Sequence, residues 1–176
     1  QLVGYKAGDA EARGLDVFET AGTIKWFDIA KGYSVQFVQP DGGSALNRIN
    51  SADPSLIMGN LKANGEVLLY NANGVIFGPG ARVDTASFVA TSLNVADSLF
   101  NKGFRGVADG TPAFGGDDAN PNGFIRIERG AEIRAAAGGQ VLMFAPRILN
   151  EGRLEAPKGQ VGLAAGQKVY LSSSLN

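Results

Sequence analysis

Apolar residues in this chain come in short runs broken at close intervals by glycine, proline and asparagine. The segment 64–84, NGEVLLYNANGVIFGPGARVD, shows the pattern best: the runs 67–70 and 75–77 are divided by a break ending in Asn-Gly, and Gly-Pro-Gly divides the second from a third short run around Val83. Each run predicts a β-strand and each break a turn. Gly65 and Gly74 supply the positive φ that such turns need, and Asn64 and Asn73 bond their own backbone or enter the left-handed region. Upstream, 15–18 and 23–27 are two further short strand candidates, and Trp26 reads as a core residue. Tyr33, Val35 and Phe37 then alternate with polar positions, as in a half-buried strand. The stretch 86–100 fits either one short helix or two strands. So far, hairpins in an antiparallel sheet and corners of a β-solenoid remain equally good descriptions.

A repeat from residue 123 onwards decides between them. Ala131-Glu132-Ile133-Arg134-Ala135 recurs as Gly152-Arg153-Leu154-Glu155-Ala156, and the segment 139–145 (GQVLMFA) recurs as 159–165 (GQVGLAA). The segment 146–150 answers in the same way to 167–171, which aligns Ile148 with Val169. Three short strands in the same order, twice, with a period of about 20 residues, predict a triangular parallel β-helix. In such a fold equivalent residues stack about 4.8 Å apart and inward Ile, Val and Leu columns form one continuous core. Asparagines at corners then have a structural task, stacking or satisfying open backbone groups, which accounts for Asn64, Asn71, Asn73 and Asn150 without a ligand.

Composition narrows the function. Hydrophobic residues make up 44% of the 176, which excludes a disordered chain, and the 25 glycines demand many tight corners. Sixteen basic residues against 17 acidic ones, nowhere concentrated, leave no electrostatic footprint for nucleic acid. The absence of Cys and His removes thiol nucleophiles, histidine acid–base chemistry and the usual zinc sites. Asp28, Asp53, Asp84 and Asp97 each fall in a separate turn, so no paired carboxylates mark a glycosidase. We expect no enzyme activity, no metal, no cofactor and no direct membrane insertion. The segment 99–123 departs from the rest, with eight Gly or Pro residues and Phe100, Phe104 and Phe114 widely spaced. It reads as an excursion from the main body anchored by those phenylalanines. Its oxygen-rich stretch 117–122 lacks EF-hand spacing and reads as solvated turns.

The run from Trp26 to Val169 resembles the two-partner secretion domain, or haemagglutination activity domain, of filamentous-haemagglutinin-like and high-molecular-weight adhesin-like exoproteins. The resemblance is carried by 26–29 (WFDI), 35–40 (VQFVQP), Asn47-Arg48-Ile49, 55–65 (SLIMGNLKANG), 71–84 (NANGVIFGPGARVD), 89–94 (VATSLN) and 160–169 (QVGLAAGQKV). The family's Asn-Pro-Asn-Gly corner stands here as Asn71-Ala72-Asn73-Gly74, and about 25 residues precede the Trp motif where the family has a longer cap. The resemblance implies an all-β, right-handed parallel β-helix with short extra-helical strands and a partial amino-terminal cap. It divides a single domain, 1–176, into that cap (1–25), first coils (26–98), the excursion (99–123) and later coils (124–176). It further implies a secreted, monomeric domain that crosses the periplasm to the cell surface or medium. There its partner is an outer-membrane β-barrel transporter with POTRA domains, and host or matrix receptors are met through the full exoprotein. Asn47, Arg48, Ile49, Asn64, Gly65, Asn71, Asn73 and Gly74 are the candidates for transporter recognition or for motif corners. For Arg48 a solvated or locally paired surface cation is the plainer reading. The competing reading is a free-standing adhesin module that binds a host receptor or glycan through 99–123.

Overall fold

The computed structural model describes residues 23–101 and 110–171. The expected strand at 15–18, most of the cap at 1–25 and the anchor Phe104 lie outside them. The chain winds through successive triangular turns. The first holds β1 (Thr23–Ile24), a single parallel bridge at Ile29 and β2 (Ser34–Phe37). The second holds β3 (Ser44–Ile49), β4 (Ser55–Ile57) and β5 (Asn60–Ala63), and the third β6 (Glu66–Asn71), β7 (Val75–Phe77) and β8 (Arg82–Thr85). The fourth opens with β9 (Ser87–Thr91), is interrupted by the short helix α1 (Asp97–Asn101) and β10 (Phe114–Gly115), and resumes with β11 (Phe124–Ile127) and β12 (Glu132–Ala135). The fifth holds β13 (Gln140–Ala145), β14 (Arg147–Asn150) and β15 (Arg153–Glu155). Strand β16 (Gln160–Ala165) begins a sixth, which β17 (Lys168–Val169) leaves. The undecided stretch 86–100 is thus one strand followed by the start of a helix.

Three parallel sheets form the sides of the prism. They are a six-stranded sheet in the order β1-β3-β6-β9-β13-β16, a four-stranded sheet β14-β11-β7-β4, and a five-stranded sheet β15-β12-β8-β5-β2. This is the parallel β-helix expected from the repeat, with the right hand that the resemblance implies. Two of the predicted stacks are present, Ile133 on Leu154 and Val141 on Val161. The third is not. Ile148 pairs with Ile125 in β11, while Val169 lies in β17, which runs antiparallel to β10 and pairs with Phe114. Beyond Ala165 the chain turns away from the helix and clips itself to the excursion, so sequence similarity there marks an edge strand of a different sheet.

The inward columns make the core: Val67, Phe88 and Val141 in the six-stranded sheet, Ile57, Phe77 and Ile127 in the four-stranded, Leu61, Val83 and Ile133 in the five-stranded, all buried. Phe77 and Phe88 meet edge to face at 5.8 Å between centroids. Two aromatic expectations shift at the amino end. Trp26 is half-buried, with Phe27 taking the core place, because the chain bends at Lys25 and 26–28 lie outside any strand, so a neighbour can turn inward instead. Tyr33 is exposed although Val35 and Phe37 are buried: its N–H donates to Ala30 O in the turn before β2, so the strand's alternation does not reach it.

The outsides of two sheets differ. Strands of the five-stranded sheet bury every second residue, as in Arg82–Thr85 and Glu132–Ala135. In the six-stranded sheet the outward residues Leu46, Leu68, Val89 and Phe144 are also buried, under a second apolar cluster with Leu93, Val95, Ala113, Phe114 and Val169. The excursion, its root at 93–95 and β17 supply this cover, with Phe114 against Phe144 at 4.5 Å between centroids. Phe100 packs at its margin.

Candidate functional site

The eight candidate residues lie on the second and third turns, and the structure engages them within the chain. Strand β3 alternates, so Asn47 and Ile49 point inward and Arg48 outward onto the covered side of the six-stranded sheet. The buried Asn47 amide donates to Leu68 O at 3.2 Å and more weakly to Ala45 O at 3.4 Å. Ile49 joins the core. The Arg48 guanidinium donates to Asn94 Oδ1 at 2.7 Å, to Val95 O, and to Asp97 Oδ1 at 2.6 Å. It also lies over the Tyr70 ring, 5.8 Å from the centroid. Burial pushes the Tyr70 phenol up, with Arg48 pulling it down and Asp118 adding to the rise. Arg48 is therefore a clasp: it holds the root of the excursion, where β9 runs into α1, against the second turn.

The asparagines sit at corners and bond the layer beneath. Asn64 reads the backbone of Gln39 as a strand would, accepting from its N–H and donating to its C=O, both at 2.7 Å. Gly65 does not take the positive φ expected of it; it is glycine because a Cβ there would run into the Gly43 carbonyl oxygen and meet Gln39 Oε1 at 2.6 Å. Asn71, fully buried, donates to Asp53 O at 3.1 Å and Ser55 Oγ at 3.0 Å, and accepts from Asn73 N–H at 3.0 Å. That last bond is an Asx-turn, which holds the corner in the absence of the family's proline. Asn73 donates to Ser51 O at 2.7 Å and accepts from Asn120 Nδ2 at 3.1 Å. Gly74 has φ +117°, and a Cβ would stand 2.6 Å from Phe124 O, so only glycine fits.

Partners that sequence reasoning missed are Asn94, Asp97, Gln39 and Asn120. Asn94 and Asp97 lie 46 and 49 residues from Arg48, and Asn120 lies 47 from Asn73, across the interruption at α1 and β10, where the repeat loses its period. The stretch 117–122 is likewise occupied structurally: Asp117 pairs with Lys168 of β17 at 2.6 Å, which draws its carboxyl below the ordinary range and raises the lysine. Chemically the arrangement offers hydrogen bonds that fix corners. Among the described residues it converges no acid, base and nucleophile on a common point, and Asp84 stands within β8 rather than in the turn expected for it.

In the folded domain Asn47, Ile49, Gly65, Asn71 and Gly74 are buried, Arg48 and Asn73 half-buried, and Asn64 alone exposed. Comparison with known proteins gives this pattern a context. The chain is 33% identical over 162 residues, 87% of its length, to a heme/hemopexin-binding protein of Haemophilus influenzae strain Rd. A second Haemophilus influenzae heme/hemopexin-binding protein is 41% identical over 75 residues, 41% of the chain. The chain spans only 16% and 8% of the lengths of these two relatives. Among solved structures, the HMW1 secretion domain from Haemophilus influenzae superposes with a TM-score of 0.68 at 27% identity, over 84% of this chain and 38% of that one. The sequence model of the TPS secretion domain matches residues 24–176, and the chain belongs to that family.

Proposed function

We propose that this domain is the amino-terminal address of a large Gram-negative surface exoprotein, read by the POTRA domains of a cognate outer-membrane transporter while the chain is unfolded. The supporting observation is the burial of Asn47, Ile49 and Asn71, which a partner reaches only before the solenoid closes. An extended chain has unpaired backbone groups and alternating side chains, the features needed to add a strand to a POTRA sheet edge, as in Ser34–Phe37. Outside the cell, folding removes both at once, and the completed layers nucleate those that follow. Export then draws on folding free energy, in the absence of a nucleotide-binding motif in this sequence. Haem or haemopexin binding, adhesion and virulence functions belong to the exoprotein's remaining length. A free-standing adhesin module using 99–123 is less well supported, since Phe114 and Ala113 of that segment are spent on packing against the six-stranded sheet.

The test is capture of the domain by the isolated periplasmic part of a candidate transporter, with the domain presented either folded or freshly diluted from urea. Capture of the unfolded form alone is expected. Equal or better capture of the folded form would overturn the proposal, and binding of the folded domain to a glycan array would favour the adhesin module.

A further inference from the structure

One end of the β-helix is open. Val161 and Leu163 continue the inward columns of Val141 and Met143, yet they are 41% and 43% exposed where those two are at 0%. Ile148 and Leu154, on the outermost strands of the other two sheets, are half-buried while Ile125 and Ile133 beneath them are fully buried. Strands β14, β15 and β16 each end their sheet, so all three sides present free backbone groups in the same direction. Among the described residues, the chain after β16 does not cover them, because β17 pairs with β10 instead.

Charge on the five-stranded sheet specifies what fits this end. Its outward residues stand in two columns, Arg82, Glu132, Arg153 and Asp84, Arg134, Glu155. Both alternate in sign from one layer to the next. The layers read base–acid at 82 and 84, acid–base at 132 and 134, and base–acid at 153 and 155. The Arg82–Glu132 pair closes to 3.4 Å. A layer repeating the charges beneath it would set arginine on arginine and glutamate on glutamate about 4.8 Å apart, which opposes pairing. Strand β15 therefore shows base, aliphatic, acid to its open side.

We infer that the next layer of the same polypeptide docks on this end, and that the strand laid on β15 runs parallel to it with an acid opposite Arg153, an aliphatic residue opposite Leu154 and a base opposite Glu155. The occupant is the continuing chain because the matching relatives are several-fold longer, this chain spanning 16% of one of them. Parallel direction follows from every other pair on this sheet. The inference rests on the reading of the domain as part of a longer exoprotein, and its test uses no transporter, so an export failure and a failure of this charge rule are told apart.

Residues 146–165 are duplicated in tandem after Ala165, which lays a base–acid strand on a base–acid strand. A second variant of identical length and composition exchanges the arginine and glutamate of the copy, making it acid–base. At low salt, amide exchange of β15 and of the added strand is expected to be about 3- to 10-fold slower in the exchanged variant, from two cross-strand pairs of opposite sign, with the difference shrinking in concentrated salt. Equal exchange in the two variants, protected or not, or slower exchange in the unexchanged one, overturns the inference. Concentration-dependent dimerisation of the unmodified domain, abolished by Leu163→Glu, would also overturn it by assigning the end to a second copy.

Discussion

The outer faces of the six-stranded and five-stranded sheets start from the same backbone geometry and end in opposite environments. On the first, Leu46, Leu68 and Val89 form an apolar column that the excursion covers. On the second, Lys62, Asp84 and Arg134 form a charged column open to water. The difference is written in the strands: Glu66–Asn71 and Gln140–Ala145 are nearly continuous apolar runs, whereas Arg82–Thr85 and Glu132–Ala135 alternate. A continuous run in a parallel strand signals burial on both sides. In a solenoid, then, interruptions go where a side already lacks polar residues, and charge settles where layers must be counted.

Exchanging the two characters should break the contrast most severely. Leu68→Asp buries a carboxylate under the excursion and should cost about 4 kcal/mol or more, preventing folding or lowering the urea midpoint steeply. The reciprocal Asp84→Leu should stay within about 1 kcal/mol, since surface positions tolerate change. Asn71→Ala leaves Asp53 O and Asn73 N–H without their partner inside a buried corner and should cost about 1–3 kcal/mol; Asn64→Ala, at an exposed corner, should cost less in the same urea titration. Arg48→Ala removes the clasp and should cost about 2 kcal/mol, with amide exchange rising chiefly across 93–101 and little in the five-stranded sheet. Arg134→Glu faces Asp84 and Glu155 and should cost about 0.5–1 kcal/mol at low salt, vanishing near 1 M salt, where the Debye length is about 3 Å. Lys158 occupies a left-handed corner (φ 56°) where the layer beneath has Gly138 (φ 83°). Lys158→Gly should therefore raise stability by roughly 0.5–1 kcal/mol, a gain visible as a small increase in melting temperature.

The β-helix was legible because the strings at 131–145 return in the same order about 20 residues later, and each match such as Ile133 with Leu154 is a local comparison of two strings. Asn64, Asn71, Asn73 and Gly74 stand at or beside corners as the Asn-Gly punctuation suggested, but Asn47 and Ile49 are inward strand residues and Arg48 pairs far along the chain rather than locally. The partners of these residues were not legible. Arg48 finds Asn94 and Asp97 only after two further layers have formed and the chain has begun its excursion, and no periodicity spans that gap. The pairing of Val169 with Phe114 was hidden for a related reason: the string 167–171 keeps the look of a layer while its backbone has already left the stack. Continuous apolar runs at 67–70 and 141–145 were the signal that something would lie over that side, and it points to a covered face without saying which segment covers it.

The clip between β10 and β17 has a consequence in time. A chain that emerges amino end first can wind its layers as they arrive, but the antiparallel pairing of β10 with β17 forms only once residues 168 and 169 are out. Until then one greasy flank, around Leu68 and Phe144, is only partly shut, and proteases and neighbouring chains have their best opportunity. Closure arrives with the last described strand, so the vulnerable interval is set by how fast the fifty-odd residues between Phe114 and Val169 are delivered.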